Sequence, residues 1–219
     1  MRQFDFYEFA GVIAPGMVGL LGVAFVWPEM AKTVLDSNVS VGGFGVAVVL
    51  AYVAGHLLQA LGNLIEALWW RINRGWPSDW PRSGRRRLLA AAQQRQLELC
   101  VREHLAMPDF HLSPDTPKKD WRPVFRQVCA SVRSAGKYEQ AQTLTGNYGL
   151  CRGVASALAV LAVVAAAVQG REAWGLVAAL AVGEALAIYR MHRFAVHYAQ
   201  EVFVSFLELP RRAGSGESP

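Results

Sequence analysis

Four apolar blocks constrain this chain more than any other feature. The first runs from about Phe9 to Trp27 (FAGVIAPGMVGLLGVAFVW), and the second from about Val41 to Leu61. The third is GVASALAVLAVVAAAV, Gly153 to Val168, and the fourth AWGLVAALAVGEALAIY, Ala173 to Tyr189. A helix that crosses a bilayer needs roughly 20 apolar residues, with a range of about 17 to 25. Blocks one and two reach that length, while three and four are short, rich in Ala and separated only by QGRE. Charged residues make up 18% of the 219 and hydrophobic ones 53%, concentrated in blocks rather than spread at a helical or strand period. Four membrane spans are therefore expected. A buried soluble hairpin is the alternative for the last two, but the rest of the chain offers too little to bury it.

The segment before block one mixes Arg2 with Asp5 and Glu8, and no A-x-A-like site precedes Trp27. Block one is thus expected to be a retained span rather than a cleaved signal. Lys and Arg set the orientation. Between Arg71 and Arg152 lie 15 of the 22 basic residues against seven acids, a net of +8. The first loop holds one Lys and two acids, and the hairpin between blocks three and four only Arg171 and Glu172. The central segment and both termini are expected in the cytoplasm, which for a bacterial chain means a multi-pass inner-membrane protein. Positive-inside bias and contact with anionic lipid or ligand account for Arg82, Arg85, Arg86 and Arg87. With no recognised motif beside that short run, nucleic acid is not an expected partner. Trp69, Trp70, Trp76 and Trp80 read as an interfacial belt.

The spacing predicts a layout of two transmembrane helices in 1–70 and a cytoplasmic helical insert in 71–150. Transmembrane helices three and four follow in 151–190, then a cytoplasmic helix and tail in 191–219. Within the insert, Ser83 is a candidate cap for a helix from Arg85 to about Leu105. A second helix is predicted across DWRPVFRQVCASVRS, with Trp121, Val124, Phe125, Val128 and Val132 inward and Pro123 in its first turn. Tyr138, Ala141, Leu144, Tyr148 and Cys151 keep a three-to-four spacing straight into block three. Phe194, Tyr198, Val202, Ser205 and Leu209 do the same beyond block four. Both spans should therefore extend into the cytoplasm as helices. The fold class is all-α and integral to the membrane.

One stretch near the end of block two, YVAGHLLQALGNLIE, breaks the apolar pattern. Tyr52, His56, Gln59, Asn63 and Glu66 recur at steps of three and four, so they share one helix face. At 1.5 Å per residue His56 lies roughly 22 Å into the span. Glu184, in block four, is expected at a similar depth. An ionisable group inside the membrane is a candidate functional site by default; polar groups that merely join helices are the plainer alternative. A second constellation is glycine: Gly16, Gly19 and Gly22 in block one, Gly55 and Gly62 in block two. Small residues let helices approach closely, either within one bundle or between copies.

Enzyme signatures are missing: the sequence holds no G-x-S-x-G, P-loop, H-E-x-x-H or G-x-G-x-x-G. Ser156 is the one candidate nucleophile in the apolar blocks that the spacing brings forward. The five histidines are dispersed, and Cys100, Cys129 and Cys151 show no metal spacing. No enzyme activity, metal or cofactor is expected.

FDFYEFAGVIAPG, YVAGHLLQALGN and YGLCRG together resemble a group of small bacterial four-helix membrane proteins found among anti-phage and stress systems. That resemblance implies a membrane effector whose cytoplasmic helices sense a ligand or protein trigger and whose spans perturb the membrane. The expected function is an oligomeric channel or pore-type effector in the bilayer, gated through the cytoplasmic helices. An accessory or scaffold subunit and a small ion-coupled transporter are the alternatives.

Overall fold

The computed structural model describes residues 9–27, 29, 32, 41–83, 88–114 and 116–210. All regular structure among them is helical. Helix α1 spans Phe9–Val26 and opens with a π-helical turn, Phe9–Ile13. It is followed by α2 (Val41–Ile72), α3 (Ala91–His104), α4 (Lys118–Ser134), α5 (Glu139–Gln169) and α6 (Trp174–Leu207). Three helical stretches are long and apolar enough to cross a membrane: Phe9–Val26, Gly43–Ser83 and Glu139–Leu207. The third contains both α5 and α6, joined by the turn Gly170–Ala173, where Gly170 takes a φ of 58°. The inside of the chain buries only 44%, 22% and 33% of the most apolar window of each stretch. Most of that apolar surface therefore faces outward, which suits a membrane and not water.

The chain divides into two compact units. The first is Met1–Arg71 with Thr145–Phe194, and the second Ile72–Leu144 with Ala195–Pro219. Helices α5 and α6 each pass without a break from one unit into the other.

In the first unit, Pro15 lies against Gly153, Gly22 against Leu161, and Val26 in one cluster with Ala165. Those pairs advance together, so α1 and α5 run parallel. Gly62 meets Ser156 while Trp70 meets Tyr148, so α2 runs the opposite way to α5. Gly183 faces Leu158, and Val164 packs with Val177 and Leu180, so α5 and α6 are antiparallel. The end of α1 is capped from the hairpin: the Gln169 amide donates to the Val26 carbonyl at 2.9 Å, one of the helix's orphaned last carbonyls.

The second unit packs on aromatic rings. Trp121, Phe203 and Phe206 have no exposed surface. Trp121 lies 6.2 Å from Phe203 and 6.4 Å from Phe110, ring centre to ring centre. Its indole N–H donates to the Ser78 carbonyl at 2.8 Å, which gives the buried ring its polar partner. The buried side chains of α4 (Trp121, Val124, Val128, Val132) keep the three-to-four spacing of an amphipathic helix. Because α4 begins at Lys118, Pro123 sits in its second turn, not its first, and the Lys119 carbonyl loses its helical partner. Helix α3 begins at Ala91, later than Arg85. Leu88 and Leu89 are buried but not helical, and the Ala90 N–H is held by the Gln93 side chain at 2.9 Å. Of the four tryptophans expected as an interfacial belt, Trp70 and Trp80 are buried and Trp69 and Trp76 half-buried.

Candidate functional site

The polar stripe of α2 and its glycines turn out to be neighbouring faces of one helix. Gly55 precedes His56 and Gly62 precedes Asn63, so the two rows lie about 100° apart around the axis. The glycine row faces inward. A Cβ on Gly16 would overlap the Ala51 carbonyl, and one on Gly55 the Val12 carbonyl. These helices touch backbone to backbone, which only residues without a side chain permit. A Cβ on Gly19 would sit 3.0 Å from a Leu58 methyl, and one on Gly22 would overlap Leu161. All five glycines thus meet neighbours inside their own chain.

Gln59 and Glu66 stand four residues beyond Gly55 and Gly62, on the edge of this inward face, and both are buried. Tyr52, His56 and Asn63 fall on the other side and are exposed. His56 meets the Tyr52 ring edge-on, with centroids 4.6 Å apart, and is not paired with Glu184. Glu184 is half-buried on α6.

Gln59 is the centre of the buried group. Pro15 has no N–H, so the Gly11 carbonyl one turn earlier lacks its usual helical donor. The Gln59 amide donates to that carbonyl, and also to the Gly149 carbonyl at 2.9 Å. Its own oxygen accepts from Arg152 Nε at 2.9 Å and Nη2 at 2.6 Å. One side chain therefore joins α1, α2 and α5 with every hydrogen-bonding group used. Arg152 Nη1 donates to the Glu66 carboxylate, and both side chains are little exposed, 14% and 12%. The guanidinium also lies 5.9 Å from the centre of the Tyr148 ring.

The network continues through aromatics. Trp70 Nε1 donates to the Tyr148 hydroxyl at 3.1 Å. The Trp70 ring stacks on His192 at 5.2 Å and 27°. Trp69 Nε1 donates to His192 Nδ1 at 3.2 Å, which leaves the neutral ring's proton on Nε2. The sequence offers Tyr148 only as part of a helical row and Trp70 only as part of a tryptophan belt, and none of Arg152, Tyr148, Trp70 and His192 reads there as a site residue. A single Arg at the start of an apolar block reads as an orientation signal, and that reading hid its second use.

Ser156 is fully buried, and its hydroxyl donates to the Arg152 carbonyl at 3.0 Å. Arg82 is half-buried and donates to the Thr116 carbonyl at 2.6 Å, bracing the second unit. Arg85, Arg86 and Arg87 lie outside the described residues. Among the described residues no cluster of His, Cys, Asp or Glu is arranged to hold a metal ion. Chemically the buried group is a latch. It fixes three helices at one level with a charge pair whose loss would leave an uncompensated ion. No family model, curated protein or solved structure matches this chain.

Proposed function

We propose that this chain is a four-pass bacterial inner-membrane protein with both termini in the cytoplasm, and that it acts as an oligomeric channel-type effector. The alternating directions of α1, α2, α5 and α6 in the first unit support four passes. The observation that carries the oligomeric reading is the outward row Tyr52, His56 and Asn63. It lies among exposed Val53, Leu57 and Leu64, at a depth where polar groups face protein or water. A second copy covers that row, and a path between copies takes its lining from His56, Asn63 and Glu184. Trp70 stacks on His192, and α2 and α6 run in the same direction. Carried along that register, Glu184 falls level with Gly62 and Asn63. Gln59 and Glu66 do not serve the path, because the latch uses them. Gating enters through α5 and α6, each a single helix shared by both units.

The test is membrane potential in bacteria making the chain, beside His56→Ala/Glu184→Ala at matched membrane levels. Depolarisation by the wild type alone supports the channel. If Tyr52→Cys cross-links to itself but neither form depolarises in the presence of any trigger, the row is a docking face and the scaffold reading replaces it.

A further inference from the structure

The second unit holds a cleft of about 220 Å³. One wall is α4, where Lys118, Arg122 and Arg126 recur every four residues and so line one side. The other wall is the turn that carries Trp76 and Asp79. Lys118 is paired with Asp79 at 3.0 Å. Arg122 and Arg126 are exposed and make no ion pair among the described residues. Three cations against one carboxylate leave the lining at +2. Between the charges lie aromatic rings: Trp76 and Phe125 are half-buried and line the cleft, and buried Trp121 closes its floor. The first turn of α4 adds the positive end of a 17-residue helix.

Two guanidiniums one helical turn apart, without an ion pair among the described residues, suit a phosphate, which Arg binds through paired N–H groups. Partly exposed rings beside them suit a flat π-system. Lipid headgroups and free phosphate satisfy the first feature but not the second. We infer that this cleft binds a nucleoside phosphate, with its phosphate on Arg122 and Arg126 and its base against Trp76 and Phe125. The volume lies below the range of about 300–1,000 Å³ that encloses a drug-sized ligand. It therefore holds only part of a nucleotide, and the rest of the ligand lies in solvent. The site stands whether or not the bundle conducts; where it does conduct, this ligand is the trigger.

The probe is ADP, titrated into the full chain in an uncharged detergent and followed by tryptophan fluorescence and calorimetry. ADP should bind saturably, with adenosine and inorganic phosphate each at least about tenfold weaker. Arg122→Gln/Arg126→Gln, two exposed positions, should weaken ADP by about tenfold or more with an unchanged helical circular dichroism spectrum. Phe125→Leu should weaken it by a similar factor and leave phosphate binding unaltered. The inference fails if no saturation is seen by about 1 mM, or if the double variant binds ADP as the wild type does. Equal affinity for phosphate and ADP would make this a simple anion site and overturn the nucleotide assignment. Binding of phosphatidylglycerol vesicles that ADP does not displace, lost in the double variant, would assign it to headgroups instead. Depolarisation is scored separately, so a failed channel leaves this result intact.

Discussion

Where α1 crosses α2, carbonyl oxygens of one helix lie against glycine of the other, and the polar groups behind them are tied to a single glutamine. In the second unit the same task falls to Trp121, Phe203 and Phe206, large rings that fill space. The difference follows from the solvent each surface suggests. In hydrocarbon, helices gain nothing by hiding apolar side chains from lipid, so association relies on close contact and hydrogen bonds. In water, burial of rings is itself the driving force.

That contrast predicts its own largest effect. Gly16→Leu or Gly55→Leu should prevent the first unit from assembling, at a cost on the order of 3–5 kcal/mol or more, because the obstacle is backbone that cannot move aside. Gly45→Ala, with open space around its Cβ, should cost nothing. Membrane yield and thermal aggregation in detergent measure both. If Gly16→Leu accumulates and melts as the wild type does, close helix contact is not what holds this unit. In the second unit, Trp121→Ala should cost about 3–5 kcal/mol. Proteolysis should then open residues 72–144 and spare the apolar helices; equal protection everywhere would show the units to be one cooperative block.

The latch comes next. Arg152→Ala should destabilise by roughly 3 kcal/mol, chiefly by stranding Glu66. Arg152→Met with Glu66→Met should recover part of that loss. Gln59 would still hold a buried oxygen without a donor, worth about 1–3 kcal/mol. A double variant no better than Arg152→Ala would mean that the charge pair is not the source of the loss.

The sequence makes some of this legible and hides the rest for a physical reason. Length and apolarity mark α1, α2 and the α5–α6 pair, because lipid demands long uninterrupted runs. The three-to-four spacing through Tyr138 and Tyr148, and through Tyr198 and Val202, carries α5 and α6 past the apolar blocks, as the structure has them. The inward face of α2 is another matter. Polarity points to the row of His56 and Asn63, yet the neighbouring row, Gly55 and Gly62, makes the contact. In this helix closeness of approach chooses the face, and Gln59 and Glu66 are captured only because they border it. Arg152 is hidden by its position at a block edge, where a positive charge already has an explanation. Arg122 and Arg126 of α4 are hidden because their lack of an ion pair among the described residues is a fact about neighbours distant in sequence.

The smallest effect concerns a thiol in the second unit. Cys129 Sγ lies 3.8 Å from the Tyr198 hydroxyl, which is 3.0 Å from that of Tyr138. Burial pushes the Cys129 thiol above its ordinary value, and the Tyr198 hydrogen bond and the Arg133 charge pull back only in part. The folded chain thus holds this proton more tightly than the unfolded one. Its contribution to stability is complete below the ordinary thiol value of about 8.5 and declines as pH rises beyond it. In a Cys100→Ala/Cys151→Ala background, maleimide should label Cys129 more slowly at pH 8 than it labels the denatured chain, and the rise in rate should fall at higher pH. Tyr198→Phe removes a hydrogen bond that favours the thiolate and should move that rise further up. Labelling at the rate of an open thiol would mean that this corner of the second unit is not packed, and the comparison with the glycine-packed unit would rest on Trp121 alone.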